Sequence, residues 1–191
     1  MPKILTIGAF ERDNFGDYLF YLLYARMLGR CEVAASGMMF ADRRTELGRV
    51  VLPYAFALRR QRWDAVIVVG GEVGAVSPEM AIRMCLSPED ESRFRQLRSQ
   101  GEACRFLTLL DESEPAYIPD LNHYPLNAET PLLFNSVGIS RLEDLGRAHP
   151  LVVKTLDRMR LSQAISVRDT QSVDFLLQAG VTASLRPDIV H

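Results

Sequence analysis

The strongest constraint on this chain lies in its first seventeen residues. Lys3-Ile4-Leu5-Thr6-Ile7-Gly8 is a short apolar run, followed at once by the polar loop Ala9 to Gly16 and a helical stretch starting near Asp17. A buried strand that feeds a helix through a turn rich in Gly, Asn and Asp is a building unit of α/β sheets. Its loop opens at the carboxyl end of the strand, where such sheets place ligands. The N–H groups of the helix start favour phosphate or carboxylate. Asn14-Phe15-Gly16-Asp17 is neither a dinucleotide nor a P-loop fingerprint.

Further strands follow. Ile4–Gly8, Ala65–Gly70, Leu132–Val137 and Ala164–Val167 are short apolar runs bounded by turn residues, the pattern of parallel strands buried on both faces. Glu32–Ala35 and Arg105–Leu109 are weaker candidates, and a short strand is expected at Ala183–Leu185. Between them the sequence predicts helices. Tyr18–Leu28 is apolar all round through Leu19, Leu22, Leu23, Ala25 and Met27, which predicts heavy burial, with Gly29 as its stop. Val50–Arg62 is read as a helix with Pro53 in its first turn. Ser87-Pro88-Glu89-Asp90 supplies a cap before Glu91–Ser99, with Gly101 as the stop. Pro150–Leu161 and Gln171–Ala179 are the later helices, the last capped by Asp169 or Thr170.

Strands alternating with helices predict an α/β, Rossmann-like parallel sheet with helices on both faces. At 191 residues and 48% hydrophobic, the chain supports one core, hence a single domain over 1–191. The stretch 111–131, rich in Pro, Asn, Asp and Glu, is too long for an ordinary connection and reads as a functional loop or partner-facing excursion. Past Arg186-Pro187-Asp188 no helix follows to pack the sheet edge, which predicts one half of a larger architecture.

Composition narrows the function classes. A net charge of -2 with scattered basic residues argues against a nucleic-acid surface. No apolar run is long enough to span a membrane, and no secretory leader precedes the first strand. Cys31, Cys85 and Cys104 are odd in number and far apart, which suits free thiols in a reducing cytoplasm and offers no metal spacing. His123, His149 and His191 lack a spaced carboxylate or cysteine partner. No catalytic residue, metal or cofactor is assigned.

Four strand ends supply the candidate substrate-binding residues. Asn14 and the backbone around Gly16 and Asp17 line a pocket, or else Asn14-Phe15-Gly16 only makes the turn and Asp17 caps the helix. Gly70 and Gly71 let a backbone approach a ligand closely, or make a tight turn before a solvated Glu72. Gly138 puts a third glycine at the same predicted edge. Arg168 follows a buried strand, where its guanidinium can fork onto phosphate or carboxylate, or pair with Asp169 to tie strand to helix.

Taken in order, Ile7-Gly8…Asn14-Phe15-Gly16-Asp17, Asp64-Ala65-Val66-Ile67…Gly70-Gly71-Glu72, Val137-Gly138 and Ile165-Ser166-Val167-Arg168-Asp169…Ser172…Leu176…Gly180-Val181…Pro187-Asp188 resemble the N-terminal half of the polysaccharide pyruvyl transferase family. The resemblance spans essentially the whole chain through short motifs in a fixed order. It implies one half of a GT-B-like two-domain fold. The activity implied is transfer of a pyruvyl group from phosphoenolpyruvate to a sugar of a surface polysaccharide, giving a ketal and phosphate. Such chemistry needs a cationic grip on the donor and an acid that protonates the enol carbon. In the family much of that grip, and the acid histidine, come from the second half. The chain departs from the family pattern at Ala9-Phe10-Glu11-Arg12-Asp13 and at Glu72, where a further glycine is usual. Glu11, Asp13 and Glu72 are unfavourable beside an anionic donor unless they face the sugar acceptor.

Two other readings share the architecture. One is a GT-B glycosyltransferase using a nucleotide-sugar, and the other a non-catalytic binding or assembly module. A missing half also leaves a face to cover, which predicts a homodimer or a second domain. A nicotinamide dehydrogenase fits poorly, since no G-x-G-x-x-G follows the first strand.

Overall fold

The computed structural model describes residues 1–99 and 113–187. Gly101, Cys104, the strand expected at Arg105–Leu109, Asp188 and His191 lie outside those residues. The sheet has eight strands: β1 (Lys3–Ile7), β2 (Glu32–Gly37), β3 (Ala41–Arg43), β4 (Arg49–Pro53), β5 (Ala65–Val69), β6 (Leu132–Val137), β7 (Ala164–Val167) and β8 (Ser184–Leu185). Their spatial order is β3-β4-β2-β1-β5-β6-β7-β8. All neighbours are parallel except β3 and β4. The chain runs outward from β1 through β2 to β4, then returns to the other side of β1 at β5 and continues to β8. That reversal puts a topological switch point between β1 and β5, the position at which open α/β sheets form a crevice.

Helices cover both faces, and the fold is Rossmann-like. α1 (Phe15–Met27) lies on one face, packing Tyr18, Phe20, Tyr21 and Tyr24 against Ile4, Val33, Ala35 and Val69. On the other face are α3 (Tyr54–Arg60), α7 (Pro150–Arg160) and α8 (Thr170–Gln178). They bring Leu58, Leu156, Met159 and Leu176 onto Leu5, Ile7, Val66, Val68 and Phe134. The short helices α2 (Arg44–Leu47), α4 (Pro78–Arg83) and α6 (Arg141–Leu145) sit at strand ends, and α5 (Pro88–Ser99) begins on the expected cap, Ser87 Oγ accepting from Asp90 N. Among the described residues no helix is long and apolar enough to cross a membrane.

Three expectations change. Val50–Arg62 is not one helix: Arg49–Pro53 is strand β4 and only Tyr54–Arg60 is helical. Val50 and Val51 are β-branched and lie beside the open edge of β2, where Ser36 pairs with Leu52 and Gly37 with Pro53. Pro53, at φ -56°, ends the strand and stands at the helix cap rather than in its first turn. On α1 it is Tyr18, Phe20, Tyr21 and Tyr24 that are buried, while Phe15, Leu22 and Met27 face outward, the last two at 37% and 68% exposure. A helix on a flat sheet buries one stripe, and the larger rings fill it.

The third change concerns 111–131. Its described part, 113–131, is not a projecting excursion, because Ala116, Tyr117, Ile118, Leu121 and Tyr124 are core residues. Its polar residues close turns and bind backbone that no ladder reaches. Asp120 accepts from Asn122 N, and fully buried Asn127 ties this segment to the chain before β5.

Candidate functional site

All seven residues singled out in the sequence stand at the carboxyl edge of the sheet, five at the switch point between β1 and β5 and Gly138 and Arg168 at the neighbouring ends of β6 and β7. Asn14, not Asp17, caps α1. Its Oδ1 accepts from Gly16 N at 2.9 Å and from Asp17 N at 3.4 Å, and its carbonyl accepts from Tyr18 N. The N–H groups that an anion would seek at this helix start are therefore engaged by the cap. Asp17 turns inward from the first turn instead. Burial pushes its carboxyl pKa up, opposed by Arg12, whose Nη1 lies 3.5 Å from Asp17 Oδ2.

The chain leaves β5 through Gly70 and Gly71, both left-handed at φ +52° and +62°. A Cβ on Gly70 would lie 2.2 Å from the Phe20 ring, so this turn requires glycine twice over. Gly71 faces Asp17, with Oδ1 3.5 Å from where its Cβ would be. Its carbonyl accepts from Gly138 N at 2.7 Å, which locks the ends of β5 and β6 together. The turn then sends Glu72 across Gly138 to the end of β7, where Oε1 accepts from Arg168 Nη2 at 2.7 Å and from the Ser140 hydroxyl at 3.0 Å. Asp169, the other candidate partner of Arg168, caps α8 by accepting from Ser172 N at 2.7 Å. The strand-end arginine thus pairs over the end of β6 with a carboxylate from the end of β5, not with its neighbour in sequence.

Next to this lies a group the sequence reading did not assign to the site. Glu11 is buried at 4% exposure, its Oε1 accepting from Met38 N and from the Tyr117 hydroxyl, both at 3.0 Å. Desolvation pushes its pKa up, against the hydrogen bonds that stabilise the anion. Gly37 makes room for it, since a Cβ there would sit 2.0 Å from Glu11 Oε2. Arg43 donates to the Glu11 carbonyl at 2.6 Å. Burial, then the charge of Glu11, pushes the Cys85 thiol up to about 11, which leaves it a poor nucleophile at neutral pH. Tyr117 comes from the 113–131 segment, so that segment reaches the site from beneath. No pattern within the sequence pairs residues 106 positions apart; only the departure of Glu11 from the family's loop pointed to it.

Six buried side-chain atoms lack a hydrogen-bond partner among the described residues, and five are at this edge: Glu11 Oε2, Arg12 Nε, Asp17 Oδ2, Arg43 Nε and Glu72 Oε2. The sixth is Gln61 Nε2. Unsatisfied buried polar groups are rare in folded proteins, and five of these six are gathered at one edge. Three of the five are carboxylate oxygens, which want donors. Among the described residues no group of three or more His, Cys, Asp or Glu side chains is arranged to hold a metal ion.

Comparison with known proteins returns no match, neither to a family model, nor to a curated protein, nor to a solved structure.

Proposed function

We propose that this chain is the sugar-binding, Rossmann-like lobe of a polysaccharide pyruvyl transferase-like protein. The order of its motifs supports the family, and the charge state of the crevice supports the sugar side of the reaction. The observation that carries the second point is the pairing of two arginines with carboxylates and the capping of the helix-start N–H groups. Arg168 is in an ion pair with Glu72, Arg12 lies against Asp17, and the N–H groups of Gly16 and Asp17 are capped by Asn14. Asp17 Oδ2 and Glu72 Oε2 accept no hydrogen bond and are closed to solvent, and their side chains, 13% and 30% exposed, present them to a ligand hydroxyl on turning. Phosphoenolpyruvate and nucleotide phosphates bring acceptors only, whereas sugar hydroxyls bring donors.

In the proposed reaction two hydroxyl oxygens of one sugar bond to the central carbon of the enolpyruvyl group, and phosphate leaves. One hydroxyl proton ends on the methylene carbon, making the methyl group, and the other on phosphate. Asp17 and Glu72 accept hydrogen bonds from the attacking hydroxyls and hold them in place, a positioning role. The donor grip and the acid come from elsewhere in the assembled site.

Titration of the chain with uncharged mono- and disaccharides, followed by saturation-transfer NMR, tests this reading. Sugar signals lost in Asp17→Asn support it. Binding of phosphoenolpyruvate or a UDP- or GDP-sugar that is lost in Arg168→Ala, with no response to any sugar, overturns it. A nucleotide-sugar response alone favours glycosyl transfer, and silence with every ligand favours an assembly module.

A further inference from the structure

The pairing at the ends of β5 and β7 is built rather than incidental. Two successive left-handed glycines aim Glu72 away from its own strand. Gly138 then leaves the flat space in which the pair lies: a Cβ there would stand 2.6 Å from Glu72 Oε1 and 2.9 Å from Arg168 Nε. Ser140, on the loop after β6, adds its hydroxyl to the same oxygen. Three strand ends thus converge on one carboxylate.

We infer that Glu72 is the specificity-determining residue of this crevice, a charge filter that occupies the anion seat of Arg168 and so reserves the site for uncharged polyhydroxyl ligands. This rests on the sugar-binding reading above. A carboxylate of the protein already sits where the carboxylate or phosphate of a ligand would engage the guanidinium. An incoming anion has to displace it from Arg168 and Ser140 or crowd in beside it, and either way two negative charges come side by side at a site about a third exposed. A neutral hydroxyl faces no such opposition, and the carboxylate, on a side chain 30% exposed, accepts from it once that side chain turns.

Removing the charge while keeping the shape exposes the filter. In Glu72→Gln the amide oxygen still accepts from Arg168 and Ser140, and the local charge rises by one. The full chain, as wild type, Glu72→Gln and Glu72→Gln/Arg168→Met, is titrated calorimetrically with phosphoenolpyruvate, inorganic phosphate and the sugar panel. The expected result is at least tenfold tighter binding of phosphoenolpyruvate or phosphate by Glu72→Gln than by wild type, abolished in the double variant. Should the amide variant fail to fold, Glu72→Ser empties the same seat and is read the same way.

No gain in anion binding overturns the inference, and so does a gain that survives loss of Arg168. The two readings fail separately. Sugar binding by wild type without an anion gain in Glu72→Gln sinks the filter alone. An anion gain without sugar binding by wild type sinks the sugar reading and leaves Glu72 excluding anions.

Discussion

At the amino end of the sheet Asn127 fills all four of its hydrogen-bonding positions, whereas at the carboxyl end Glu11, Asp17 and Glu72 each keep a buried oxygen with no hydrogen bond. Asn127 Nδ2 donates to the carbonyls of Leu58 and Gln61 at 2.7 and 2.8 Å. Its Oδ1 accepts from Trp63 N and from the Thr130 hydroxyl at 2.9 and 3.1 Å. Both regions are polar and buried, and both join segments distant in sequence. A fully satisfied network rigidifies and specifies the fold, while each unsatisfied buried group calls for an explanation of its own. Under the proposed function the Asn127 network is architecture and the carboxyl end the candidate site. The contrast predicts a clean separation, with stability residing at one end and ligand recognition at the other.

The hardest test of that separation is Asn127→Ala. It strands the Trp63 N–H and two carbonyls in the interior, at a cost of about 3 kcal/mol or a Tm loss on the order of 10 °C. Sugar binding by the fraction that remains folded is expected to be unchanged. A variant with near-normal Tm, measured by calorimetry, would mean that the amino end is no more structural than the site.

Gly70→Ala comes next, because the carboxyl end is not free of structural demand. The φ of +52° and the ring of Phe20 at 2.2 Å together cost about 2 kcal/mol. A double variant with Phe20→Leu separates the two causes: it recovers the steric part and leaves the backbone part. No recovery in urea unfolding would place the whole cost in the backbone.

The fold was legible because its signals are local. Apolar runs such as Ala65–Val69, and the loop glycines after them, need no distant partner to be recognised, and strand alternation with helices gave the sheet. The antiparallel strand β3 and the division of 50–62 into strand and helix were not legible, since each depends on the open edge of β2. The candidate site was half legible. Asn14, Gly70, Gly71, Gly138 and Arg168 sit at strand ends that the sequence marks, and topology brings them to one edge. What each of them does was misjudged in two cases. The helix start was expected to present N–H groups that Asn14 in fact caps, and Arg168 was expected to be open or paired with Asp169 when its partner is Glu72, 96 residues away. Pairing across strand ends follows from sheet order, and no local pattern encodes it.

A smaller effect separates the ends by pH. Burial raises the Glu11 pKa in the folded chain above its ordinary 4.5, so the folded state holds this proton more tightly than the unfolded state. Its contribution to stability is full below about that pH, falls as pH rises through the window up to the folded-state value, and is level above it. Glu11→Gln lacks this dependence while keeping an oxygen for Met38 N and Tyr117. Urea unfolding of both proteins from pH 4 to 8 is expected to show wild type losing stability relative to the variant as pH rises. Parallel curves would mean that Glu11 is solvated well enough to ionise freely, and that this oxygen is scaffold like those at the other end.

The mildest comparison removes one hydroxyl from each end. Thr130→Val deletes a buried group that lies 3.1 Å from both the Trp63 carbonyl and Asn127 Oδ1, and about 1–2 kcal/mol of stability should go with it. Ser140→Ala deletes the hydroxyl on Glu72 Oε1, but Arg168 still holds that oxygen and the pair is about a third exposed, so about 0.5 kcal/mol or less is expected. In binding the order inverts. Without Ser140 the Glu72 carboxylate is held by Arg168 alone and turns more freely, which should weaken sugar binding severalfold, while Thr130→Val leaves it untouched. Equal losses of stability with no change in binding would show that the hydrogen bonds at both ends serve the fold alone. The crevice would then owe its selectivity to charge rather than to the placement of its hydroxyl.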